Sequence, residues 1–162
     1  MDASGILYWG DNFLRASLEG IPETLWETEG VCGVWSVKNL LAHLEAHEQM
    51  LTDVFTMFGG GSDTPTLNDI GRVGGPLAWN DWSVDQRRGW SASETLARYD
   101  AAYQHNMELA KGVTPEKYRE VGTMPWYGLE YSLDDYIVFT FYGHKREHGG
   151  EIRHFRSGLG GT

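Results

Sequence analysis

Apolar residues recur along this chain at helical spacing in four separate stretches. In the first, Leu7, Leu14, Leu18 and Ile21 follow one face with Phe13 beside them. Pro22 ends that stretch, because proline disfavours helix at the residue before it. In the second, Ser36 is a good N-cap, and Val37, Leu40, Leu41, Leu44, Glu48, Leu51, Phe55 and Phe58 line one stripe until Gly59-Gly60-Gly61 stops it. The third begins at Ser91 or Ser93, with Glu94 at capping-box spacing from Ser91; Leu96, Tyr99, Tyr103, Met107 and Ala110 form its face, and Gly112 ends it. The fourth starts near Ser132, carries Asp134 and Asp135 where the helix dipole favours anions, and runs through Leu133, Ile137, Phe141 and Ile152 to about Arg156.

No strand-like alternation competes with these periods, although Ile137-Val138-Phe139 contains β-formers. The pattern predicts an all-α fold, a four-helix bundle in one domain over residues 1–162. Between the second and third helices, residues 59–90 are rich in Gly, Pro, Asn and Asp and read as one long crossover. A connection of that length can carry the chain back to its starting end and set helices two and three parallel.

Composition adds exclusions. With 13 Lys and Arg against 23 Asp and Glu, the net charge of −10 repels phosphate backbones, and no basic stripe offsets it, so no nucleic-acid partner is expected. No apolar run approaches the roughly 20 residues of a membrane span, so no membrane partner is expected. Met1-Asp2-Ala3-Ser4-Gly5 lacks the basic and apolar regions of a secretory leader, and Cys32, the single cysteine, allows no internal disulfide. Together these predict a cytoplasmic protein. Seven tryptophans predict a strongly aromatic core or pocket.

The candidate chemistry lies in the histidines. His144 and His148 sit four residues apart in the fourth helix, one turn above another, and continue the face of Leu133, Ile137 and Phe141. Both imidazoles reach toward one point inside the bundle. A third metal ligand must come from another helix, and the second offers His43 and His47, again four apart. Spacing predicts that one of them faces the fourth helix and leaves open which. His105 and His154 fall off the apolar faces and read as solvated, and Cys32 as a small buried hydrophobe.

Two stretches resemble the DinB-like superfamily, four-helix bundles that include mycothiol- and bacillithiol-dependent transferases. Trp35-Ser36-Val37-Lys38-Asn39-Leu40-Leu41-Ala42-His43-Leu44 is similar to the family's Trp-Ser/Thr start with a histidine eight residues on. Tyr142-Gly143-His144-Lys145-Arg146-Glu147-His148, continuing to Ile152-Arg153, is similar to its closing helix. Asn80-Asp81-Trp82 and Arg87-Arg88-Gly89-Trp90-Ser91 resemble its lead into the third helix. The resemblance implies an up-down-down-up bundle, His43 rather than His47 as the third ligand, and a homodimer.

Three neutral imidazoles leave coordination positions open, as in catalytic rather than closed structural sites, and zinc or nickel suits such ligands. Together with the triad, the resemblance implies a metal-dependent transferase using a low-molecular-weight thiol, or a hydrolase, acting on a small reactive molecule in stress or detoxification. Asn80, Arg153 and Trp35 are the candidates for holding that substrate, and Trp79, Trp82, Trp126 and Tyr127 for walling its pocket. No catalytic residue follows from the pattern. The alternative is a non-enzymatic stress protein that binds a metal or small molecule. A His-x-x-Glu-His protease, with Glu147 as base, would need a further glutamate well downstream, and 14 residues follow His148.

Overall fold

The capping residues decide where the helices begin, and a few glycines and prolines decide where the expected boundaries move. The computed structural model describes residues 3–159; the first two residues of the stretch read for a leader, and the last three of the chain, lie outside it. The first helix, α1, spans Ala3–Leu18. It stops before Pro22 because Gly20 turns the chain at φ +80°, a left-handed conformation that costs glycine little. A short 3-10 turn, Glu23–Leu25, follows.

Helix α2 spans Val37–Phe58. The N–H of Asn39 donates to Ser36 Oγ at 3.2 Å, and the N–H of Ser36 donates to Asn39 Oδ1 at 3.0 Å, so each satisfies a backbone donor of the other. Helix α5 spans Ala92–Ala110, and its start is Ser91 rather than Ser93. There the Glu94 N–H donates to Ser91 Oγ at 3.2 Å and the Ser91 N–H to Glu94 Oε2 at 2.9 Å.

The connection over residues 59–90 is not the loop its composition suggests. It holds α3 (Pro65–Arg72) and α4 (Pro76–Gln86), and a further short helix, α6 (Pro115–Arg119), follows α5. Each opens on a proline. The first turn of a helix has no partner for its N–H groups, so a residue that lacks one loses nothing there. Prolines that look like loop signals are in this chain helix starts.

The fourth expected helix is a continuous helical run over residues 133–159, in three parts: α7 (Leu133–Tyr136), a π-helical stretch Ile137–Gly143, and α8 (His144–Leu159). Ser132 and Asp135 form a reciprocal cap at its start. The π stretch collects Ile137, Val138, Thr140 and three aromatics. These side chains lose most χ1 freedom in an α-helix, and the wider π turn relieves that crowding.

The chain divides into two compact units. One is drawn from its ends, up to Glu19 and from Ala110 onward; the other is Gly20–Leu109. In the first, α1 packs along the π stretch and α8, burying Leu7 and Leu14 together with Ile137, Phe141 and Ile152. Gly149 allows the approach, since a Cβ there would lie 2.8 Å from the Phe13 ring. In the second, α2 packs on α3 and α4, and Leu40, Leu41, Leu44, Leu51, Val54, Phe55, Trp79 and Val84 are buried. A polar link ties α2 to α5. Asn106 Nδ2 donates to Glu48 Oε2 at 2.7 Å, and Thr52 Oγ1 donates to Asn106 Oδ1 at 2.8 Å. Asp53 accepts the Leu67 N–H at 2.9 Å and ties α2 to α3.

Among the described residues the regular elements are all helices, with one isolated β-bridge between Cys32 and Trp35. The all-α expectation stands. No described helix is long and apolar enough to cross a membrane.

Candidate metal centre

The first turn and a half of α8 brings two imidazoles together. His144 Nε2 and His148 Nε2 are 2.8 Å apart, with ring centroids at 4.5 Å. The i, i+4 spacing aims both rings the same way, as the sequence predicts. His148 is 7% exposed and His144 half-buried. Behind them, Glu151 Oε2 lies 2.7 Å from His148 Nδ1. An ionised carboxylate can only accept, so Nδ1 carries the proton and the Nε2 of a neutral His148 presents its lone pair.

This donor set fits a divalent metal. Two nitrogens bonded to one ion at about 2.0–2.1 Å, at angles near 90–110°, stand about 2.8–3.4 Å apart. The observed separation lies at the lower end of that range. Glu151 adds the carboxylate that typically backs a ligating histidine, fixing its tautomer and raising its basicity. Sequence reading missed Glu151, although its i, i+3 spacing from His148 was the available signal. Glu147, the base of the protease alternative, is exposed.

His43 belongs to the other unit, in the second turn of α2, and is 2% exposed. Its ring packs against Trp35, centroids 4.9 Å apart. Trp35 is held in a tight turn: its N–H donates to the Cys32 carbonyl at 2.9 Å, and its own carbonyl accepts the Val31 N–H at 3.0 Å. His47 lies one turn on, its Nδ1 3.0 Å from the His43 carbonyl, so that nitrogen donates along the helix. The His47 ring meets Trp79 of α4 at 5.1 Å. The alternative ligand is thus engaged with its own helix and with a tryptophan from the connection.

The remaining candidates separate. Asn80 is half-buried in α4, its carbonyl accepting from Ser83 Oγ at 2.9 Å. Arg153 donates from Nε to Ser17 Oγ at 3.0 Å and lies 4.1 Å over the Phe13 ring, which makes it a tie between α8 and α1. Of the aromatics, Trp79 is buried, Trp82 sits under Arg72, Trp126 is half-exposed, and Tyr127 packs on Tyr136. His105 and His154 are exposed, as read, while Cys32 is only half-buried.

No curated protein and no solved structure matches the chain. A family model does: that of the DinB superfamily matches residues 7–152, a span that includes His43, the π stretch, His144, His148 and Glu151. The chain belongs to the DinB superfamily.

Proposed function

We propose that this protein is a metal-dependent enzyme in which His43, His144 and His148 hold one zinc or nickel ion within an up-down-down-up four-helix bundle. Its reaction is transfer of a low-molecular-weight thiol onto a small electrophile, or hydrolysis of such a molecule. The observation that carries this reading is the convergence of His144 and His148 at 2.8 Å with Glu151 behind His148. Family membership supports the choice of His43, whose burial beside Trp35 suits a ligand shielded from bulk water.

Bound there, an ion with open positions supplies Lewis acidity and lowers the pKa of a water or thiol. The chain supplies the rest. Glu151 keeps the proton of His148 on Nδ1. Trp35 excludes water from one side of His43, and Asn80 offers an amide to a polar substrate. The homodimer and the stress or detoxification role belong to the same proposal on the resemblance, and the cytoplasmic setting on the single cysteine and the composition.

Elemental analysis of protein purified without added metal tests the centre first. We expect about one zinc or nickel per chain, falling at least tenfold in His144→Ala. Metal content that is low in the wild type and equal in the variant would sink the reading. Turnover by metal-loaded protein with a panel of thiols and electrophiles tests the chemistry. Full metal with no rate above that of free metal would favour the alternative, a protein that binds a metal or small molecule without transforming it.

A further inference from the structure

On the side of the final helix marked by Tyr142 and Arg146 rather than by His144 and His148, α1, the π stretch and the exposed Arg146 line an open cleft of about 550 Å³. Residues 144 and 146 lie about 200° apart around a helix, so this cleft is distinct from the histidine pair. Ile6, Trp9, Phe13, Val138 and Tyr142 form its walls. Two polar groups interrupt them, Asn12 and Arg146. The volume falls in the range of small-molecule sites, which pair mostly apolar walls with a few placed polar groups. Trp9 is 55% exposed at its edge, a large apolar surface left to water.

Arg146 defines the chemistry. Its guanidinium lies 4.8 Å over the Phe13 ring and donates from one terminal nitrogen to Tyr142 Oη at 3.0 Å. Stacking and that hydrogen bond hold the planar group at the cleft. Among the described residues it meets no carboxylate, in a chain of net charge −10. Its other N–H groups present the fork that matches a carboxylate in two parallel hydrogen bonds. We propose that this cleft binds a small aromatic carboxylate, its ring against Trp9 and Phe13 and its carboxylate on Arg146. The site is independent of the metal reading.

Titration with 2-naphthoate and its neutral isostere 2-naphthamide, followed by tryptophan fluorescence and calorimetry, tests the proposal. We expect saturable 1:1 binding of 2-naphthoate, at least tenfold weaker binding of the amide, and a similar tenfold loss in Arg146→Gln, equivalent to about 1.4 kcal/mol. Trp9→Phe removes most of the fluorescence change while calorimetric binding persists, and His144→Ala leaves binding unchanged. The proposal is overturned if 2-naphthoate does not saturate, or if it binds Arg146→Gln as well as wild type. It is also overturned if sedimentation shows a dimer that Trp9→Asp dissociates, because a second copy then covers the cleft.

Discussion

Asp53 illustrates how a single side chain in this protein trades charge for a structural link. Burial holds its carboxyl above the usual carboxylate range, with Asp63 adding to the rise, while the N–H groups of Leu67 and Thr66 pull the other way. A carboxyl raised in the folded state binds its proton more tightly there than when unfolded. Stability is therefore greatest below the ordinary value and falls as pH rises through the interval up to the raised one. Asn keeps an acceptor for the Leu67 N–H and carries no charge. Asp53→Asn is expected to match or exceed wild-type stability at pH 7, with the difference vanishing below pH 4, as read by urea denaturation at the two pH values. Of the residues that matter, His144 and His148 were legible because helical spacing alone makes their rings converge. The choice between His43 and His47 was not, because both lie on one side of the same stripe and periodicity does not resolve a single residue. Glu151 escaped because a glutamate three residues from a histidine is common on any solvated helix.

At the scale of elements, the caps were legible and the connection was not. Ser36, Ser91 and Ser132 each start a helix with a reciprocal partner three residues on. At Ser132, the backbone bond and then the hydroxyl hold the Asp135 carboxyl below its usual range. That contribution is present above the ordinary carboxylate value and is lost as pH falls through the depressed one. Ser132→Ala is expected to cost about 1 kcal/mol near neutral pH and less in acid, measured by thermal unfolding at pH 7 and pH 3. The helices α3 and α4 went unseen because Pro65 and Pro76 carry two meanings. A proline breaks a helix from within and begins one at its first turn, and composition alone does not say which. The π stretch also escaped: its β-branched and aromatic residues were visible as β-formers, yet their consequence is a wider helical turn rather than a strand. That turn sets the rotational phase at which His144 leaves Tyr136, so the direction of the histidine pair depends on the seven residues that precede it.

For the whole molecule, the all-α class and the family were legible from four stripes and two motifs. The division into two units was not, because one of them is assembled from segments at opposite ends of the chain. The proposed ligands are His43, His144 and His148. A metal that binds the folded protein and not the unfolded chain adds stability by mass action, about 2.7 kcal/mol at a free concentration 100 times its Kd. We expect zinc or nickel to raise the melting temperature of metal-stripped wild type, and neither His43→Ala nor His144→Ala to show that rise. A rise retained in either variant would place the metal elsewhere. The divided unit also imposes an order of events. Arg153 reaches Ser17 across 136 positions of sequence, and Arg156 reaches the Glu19 carbonyl across 137. On the ribosome, the segment Gly20–Leu109 can gather its own contacts while α8 has yet to be made, whereas α1 must wait until α8 follows. During that interval the apolar face of Leu7 and Leu14 is without the cover that α8 and the π stretch give it, which leaves α1 open to capture by chaperones or by another nascent chain.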